Sequence, residues 1–108
     1  MIVRRQDRRS RSLQPGVEHA VLSYDDALML CEVSLAEGVL FPPHSHPHVQ
    51  IAYVVSGRVS FTLDEETFPL EAGDSCLVPP HSVHSLVALE DTVVLDAFHP
   101  AREDFLAL

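Results

Sequence analysis

Residues 38–57 read GVLFPPHSHPHVQIAYVVSG, and the rest of the chain is organised around them. His44, His46 and His48 fall within five residues, Gln50 follows, and an alternating run from Ile51 to Val55 leads into a Ser56-Gly57 turn. On an extended strand successive side chains point to opposite faces, so residues two apart share a face. His44 and His46 are therefore expected to point the same way, and Gln50 rejoins them if the strand stays regular past Pro47. Two imidazoles and one amide on a face supply three-quarters of a metal shell, and neutral imidazole is the commonest ligand for first-row transition metals. Taken alone, the HxH pair fits a proline-rich loop with exposed histidines equally well.

A chain of 108 residues with 46% apolar content and four glycines is long enough for one domain with a real core. No apolar run approaches the ~18 to 20 residues that span a bilayer. The N-terminal MIVRRQDRRSRSLQPG carries basic residues with no apolar segment behind them, which is not the pattern of a secretory signal, so cytoplasmic residence is expected. Cys31 and Cys76 lie far apart inside apolar runs, belong to no CxxC, and read as small buried hydrophobes.

The net charge of −9 conceals an asymmetry. Lys is absent, five arginines crowd into the first eleven residues, and beyond them Arg58 and Arg102 face fifteen acidic residues. Such a body repels nucleic acid and anionic membrane, so neither is expected as a partner. Residues 1–14 read as a solvated basic tail and residues 15–108 as the single domain. Any anionic ligand must rely on a metal, Arg58 or Arg102.

Turn signals punctuate the remainder at short intervals: Gln14-Pro15-Gly16, Asp25-Asp26, Ala36-Glu37-Gly38, Ser56-Gly57, Asp64 to Glu66, Glu71 to Asp74, Pro79-Pro80 and Glu90-Asp91. Strands are expected between them at Val17–Tyr24, Leu28–Leu35, Gln50–Val55, Arg58–Leu63, Thr67–Leu70, Ser75–Val78, His84–Leu89 and Thr92–Phe98. Only the C-terminal REDFLAL suits a helical turn. Short strands so spaced, with no βαβ crossover, give an all-β antiparallel sandwich or barrel.

A second polar cluster, GDSCLVPPHSVH at residues 73–84, joins the first. Together they resemble the two motifs of the cupin family. The first is a Gly, five residues, HxH, three or four residues, an acid, six residues and a Gly, met here by Gly38, His44, His46, Gln50 and Gly57. The second is a Gly, five residues, a Pro and a His five positions later, met by Gly73, Pro79 and His84. Gln50 replaces the usual acid, Ala88 the frequent terminal Asn, and His81 stands where many members have Gly. The resemblance implies a jelly-roll barrel (double-stranded β-helix) with a divalent transition metal held by His44, His46, Gln50 and His84. Nickel, zinc, iron, manganese and cobalt all suit such ligands. Three imidazoles and an amide leave the full double charge on the ion, which favours Lewis-acid work over oxygen chemistry. His19, His81 and His99 lie outside the ligand pattern and are expected at the surface or behind the ligands.

The C-terminal segment carries a narrower resemblance. Asp96, Phe98, Pro100, Arg102, Glu103, Asp104, Phe105 and Leu106 follow the DxFxPxREDFL ending of the KdgF-type cupins of pectin and alginate breakdown. That likeness implies conversion of 4,5-unsaturated monouronates to linear 5-keto-4-deoxyuronates, with Asp96 and Arg102 catalytic beside the metal. Arg102, Phe98 and His48 are expected to contact a small anionic sugar. Two other readings are a non-catalytic sugar- or metal-sensing cupin module and a cupin dioxygenase. Small jelly rolls have edges to cover, so a homodimer is expected, using the strands before Gly38.

Overall fold

The run Met29–Leu35 alternates in space as it does in sequence: Met29, Cys31, Val33 and Leu35 are buried and the residues between them are half-exposed. This pattern, repeated along the chain, builds the molecule. The computed structural model describes residues 1–108. Its strands are β1 (Ser10–Gln14), β2 (Val17–Tyr24), β3 (Met29–Leu35), β4 (Leu40–His44), β5 (Val49–Ser56), β6 (Arg58–Leu63), β7 (Glu66–Glu71), β8 (Ser75–Val78), β9 (His84–Ala88) and β10 (Thr92–His99). A short helix, α1 (Glu103–Leu106), and a 3-10 turn at Arg5–Asp7 complete it. No helix is long and apolar enough to cross a membrane.

The strands form a six-stranded sheet, β1-β2-β3-β10-β5-β8, and a four-stranded sheet, β4-β9-β6-β7, antiparallel throughout. The two close on each other as the jelly-roll barrel expected from the sequence. Val17, Val33, Val54, Val59, Phe61, Val78 and Val94 fill the space between them. A smaller cluster of Met29, Cys31, Phe98 and Ala101, with Phe105 packed against it, closes one end. Both cysteines are free; Cys31 is buried as expected, which pushes its thiol up to about 12, whereas Cys76 is only half-buried.

Two strands depart from the sequence reading. Ser10–Gln14, expected within the basic tail, pairs with β2 as the edge strand β1. Its Arg8-Arg9-Ser10-Arg11 stretch has no apolar alternation, but an edge strand needs only backbone partners on one side. Arg8 pairs with Glu32, and Arg11 donates to the carbonyl oxygens of Phe105 and Leu108. The second is β4, whose Leu-Phe-Pro-Pro-His sequence lacks two backbone donors. It survives because β4 is also an edge, where missing N–H groups break no ladder; Pro69 is placed on edge strand β7 by the same rule.

The six-stranded sheet carries exposed apolar residues on its outer face. Ile51, Tyr53 and Val55 of β5 and Leu77 of β8 stand in the open, with Ile51 opposite Leu77 in the ladder.

Gly57 makes the turn between β5 and β6 at φ +86°, a left-handed conformation that L side chains rarely adopt. A methyl there would lie 2.3 Å from the Asp91 carbonyl oxygen and 2.7 Å from the Thr92 Cα. Gly38 has a similar φ, +86°, but open space around it. Gly57→Ala should therefore lower unfolding free energy by about 2 to 4 kcal/mol, and Gly38→Ala by only about 1 kcal/mol. Denaturant titration of both variants checks this; equal losses would show that backbone conformation alone, not the Asp91-Thr92 contact, sets the requirement.

Candidate metal centre

His44 and His84 are brought together by strand pairing. They are directly opposite in the β4–β9 ladder, with ring centroids 4.2 Å apart. His46 does not continue β4. The strand ends at His44, the chain bends through Ser45 to His48, and β5 begins at Val49 in the other sheet. The strand does not stay regular past Pro47, and the histidines converge because the chain crosses between sheets at this point. The backbone N–H of His81 donates to the carbonyl oxygen of His46 at 2.8 Å, tying the bend to the turn that carries His84. His81 makes that contact at φ +68°, a left-handed conformation that Gly adopts most readily, and this is the position where many motif members have Gly.

The ligand-capable atoms of His44, His46 and His84 all lie within 4.8 Å of one another. In each ring Nδ1 faces a backbone carbonyl: Pro42 at 2.8 Å for His44, His48 at 3.0 Å for His46, and Ser82 at 2.9 Å for His84. With Nδ1–H donating, each ring holds its lone pair on Nε2, the arrangement that a carbonyl bonded to the far ring nitrogen imposes on metal-binding histidines. Burial pushes His46 below its ordinary pKa and His84 down to about 4, so both are neutral near pH 7. His84 Nε2 is buried with no hydrogen-bond partner.

Gln50, 7% exposed, supplies the fourth group. Its Nε2 donates to Asp96 Oδ1 at 2.9 Å, which turns its Oε1 toward His46 Nε2, also at 2.9 Å. A neutral imidazole has one N–H and here meets two acceptor oxygens, so one nitrogen faces an oxygen lone pair. A cation between Nε2 and Oε1 would resolve that conflict and also satisfy the orphaned His84 Nε2. The donor set, three imidazoles and an amide oxygen, fits a divalent transition metal.

His44, His84 and Gln50 open onto a cavity of about 330 Å³, within the size range of small-molecule sites. Its walls are mostly apolar, and His44, Gln50, His84, Asp96, Phe98 and Arg102 all line it. Asp96 is partly buried on β10, opposite Ala52 and Cys31 in the ladders, and burial raises its carboxyl to about 6. Arg102 stacks its guanidinium 4.2 Å from the Phe105 ring centroid and 5.1 Å from that of Phe98. Its Nε and Nη2 bond both carboxylate oxygens of Asp104 at 2.9 and 2.7 Å, leaving Nη1 without a protein partner. Arg102 and Asp96 therefore do not pair with each other.

Of the remaining histidines, His48 and His19 are placed differently from expectation and His99 is placed as expected. His48 lies outside this cavity, in a separate depression with Asp25, Asp26 and Asp104. The bend that swings His46 inward turns its neighbour away, so His48 is no wall residue for a ligand held by the other groups. His99 is exposed and bonds the Ala27 carbonyl, as a surface residue does. His19 is neither at the surface nor behind a ligand: it is buried on β2 and lines the cavity. The signal was its parity with Val17 and Val21, which put it on the inward face.

Comparison with known proteins accords with this geometry. The family model for the cupin domain matches residues 31–98. The pectin degradation protein KdgF of Dickeya dadantii is 35% identical over 96 residues, covering 87% of each protein. The structure of KdgF from Halomonas sp. superposes with a TM-score of 0.93 at 33% identity, covering 97% of both chains. An RmlC-like cupin from Shewanella frigidimarina gives a TM-score of 0.93 at 32% identity, over 96% of this chain and 94% of that one. With both motifs, the jelly roll and these likenesses in agreement, the chain belongs to the cupin family and is of the KdgF type.

Proposed function

We propose that this protein is a metal-dependent enzyme that converts 4,5-unsaturated monouronates, the products of pectin or alginate breakdown, to linear 5-keto-4-deoxyuronates. The observation that carries the reading is the Gln50 amide, which links the metal-binding cluster to Asp96 inside a cavity that also holds Arg102. The similarity to a protein named for pectin degradation supports it. His44, His46, Gln50 and His84 would hold one divalent ion: nickel, zinc, iron, manganese or cobalt. Such an ion supplies undiminished positive charge for the substrate carboxylate and the neighbouring C5 oxygen.

The chain's own residues have distinct tasks. The Asp96 carboxylate accepts the proton of the anomeric hydroxyl as the bond from C1 to the ring oxygen breaks, leaving an aldehyde at C1 and an enolate at C5. It then returns that same proton to C4, and the enolate becomes the 5-ketone with no net gain or loss of atoms. Gln50 Nε2 holds one Asp96 oxygen in place, and the free Nη1 of Arg102 is available to an anionic or hydroxyl group of the sugar. Phe98, 3% exposed, gives the sugar an apolar wall and supports Arg102 from beneath.

Assembly belongs to the same proposal. The expected homodimer forms through Ile51, Tyr53, Val55 and Leu77 rather than the strands before Gly38, since an exposed apolar patch in cross-strand register marks an interface. Sedimentation velocity should give a dimer for wild type and a monomer for Tyr53→Glu; a monomeric wild type refutes the interface.

Two further outcomes are expected. His84→Ala should lower bound metal at least about tenfold by elemental analysis, and a variant with unchanged metal content would refute the ligand set. Loss of the conjugated ultraviolet absorbance of unsaturated galacturonate should be fast with wild type and abolished by chelation. Asp96→Ala should be about 100-fold to 10,000-fold slower with its metal retained. No acceleration over the spontaneous reaction by metal-loaded wild type would overturn the enzyme reading, and tight uronate binding without turnover would point to a sensing module.

A further inference from the structure

His19 is the titratable wall residue that the mechanism above leaves unused. It is 2% exposed, and both its ring nitrogens are buried without a hydrogen-bond partner. The three clustered histidines each have Nδ1 set by a backbone carbonyl; His19 has neither nitrogen so fixed. It is thus not prepared as a metal ligand, and it is not a satisfied core histidine. Its ring is positioned by an edge contact with Phe105, centroids 4.6 Å apart.

The sheet register locates it relative to the chemistry. His19 pairs with Val33, and Val33 with Val94, two residues from Asp96 on β10. Val33 and Val94 line the cavity, as His19 and Asp96 do. At about 4.8 Å per strand, β2 stands about 10 Å from β10, a gap that a pyranose ring and its substituents can bridge. Burial, with Arg11 and Arg102 adding repulsion, pushes His19 down to about 4. The ring is therefore a neutral imidazole with one donor and one acceptor. That pair matches a hydroxyl, which also has both, and does not match a carboxylate.

We propose that His19 binds a ring hydroxyl of the substrate and sets which uronate epimer the cavity accepts. The inference rests on the uronate reading and deepens it. The double bond between C4 and C5 removes the stereocentres there, so once the anomeric centre is opened unsaturated galacturonate and unsaturated mannuronate differ only at C2. With the carboxylate end of the sugar held at the metal cluster and Arg102, the C2 and C3 hydroxyls lie toward the β2 wall. A buried site built to pair with a hydroxyl discriminates against a substrate that leaves it unpaired.

The test compares wild type, His19→Phe and His19→Gln on unsaturated galacturonate and unsaturated mannuronate, with melting temperature and metal content measured alongside. His19→Phe relieves an unpaired buried polar group, so its melting temperature and metal content should be no lower than wild type. Its KM should rise about tenfold for the preferred epimer with little change in kcat, and the preference between epimers should shrink. His19→Gln, which keeps a donor and an acceptor, should recover part of the loss and serves if the Phe variant does not fold. Unchanged KM and epimer ratio in a folded variant would overturn the proposal and leave His19 a packing residue. If wild type turns over neither epimer, the ring-opening reading falls by itself. Calorimetry with zinc-loaded protein and saturated galacturonate then decides for His19: weakened binding in His19→Phe supports it, and equal or absent binding overturns it.

Discussion

One side-chain amide links the two halves of this site. Gln50 directs its oxygen at His46 and its nitrogen at Asp96, each at 2.9 Å. Only an amide presents an acceptor and a donor in that geometry. A glutamate here would set two carboxylates against each other at hydrogen-bonding distance, and one of them would have to keep a proton. The residue thus has a role beyond leaving the metal its full charge: it orients the carboxyl proposed to move the proton. Ligand neutrality and acid–base positioning are two consequences of one choice at position 50.

That link depends on the two-sheet architecture. His44 and His84 come from the four-stranded sheet, Gln50 and Asp96 from the six-stranded one, and His46 from the bend that joins them. Misalignment between the sheets would therefore separate the histidine pair from the amide and the carboxyl. The Phe61 ring lies nearly parallel to His84, centroids 6.2 Å apart, so the core itself abuts the site. At the other end, Arg11 holds the segment after Asp104 through the Phe105 and Leu108 carbonyl oxygens, and Phe105 in turn supports Arg102 and His19.

Much of this was legible in the sequence because the signals were local. Alternation found eight strands, and motif spacing singled out His44, His46, Gln50 and His84, which converge around one cavity. What was not legible depends on neighbours that spacing does not name. β1 and β4 are edge strands whose own residues, arginines and prolines, argue against strand; pairing with β2 and β9 overrides them. His48 shares parity with His46 in sequence, but the bend at Pro47 cancels that parity and places it outside the cavity. Arg102 finds its partner in Asp104, two residues away, rather than in Asp96. The Gln50–Asp96 bond joins residues 46 positions apart, and no pattern within either strand announces it. His19, expected at the surface or behind the ligands, shares the inward parity of Val17, yet its importance lies in the absence of a partner, which only the folded surroundings reveal.

Charge placement gives the architecture its functional sense. A chain with net charge −9 repels anions at long range, so an anionic ligand needs a local source of attraction. Arg58 is exposed and lies outside the cavity lining, leaving Arg102 as the cavity's own cation. Asp104 neutralises part of it, yet the bidentate pair uses only Nε and Nη2 and holds the guanidinium rigidly over two aromatic rings. Arg11, expected to be solvated with its neighbours, is instead half-buried beside His19 and adds positive potential at the β2 wall. Burial, with Arg102 adding to it, keeps His19, His46 and His84 neutral, as the proposed cation and hydroxyl contacts require. Positive charge thus sits at fixed points along the cavity while the protein as a whole remains acidic. Under the proposed function, these fixed groups are what would hold a small anionic sugar.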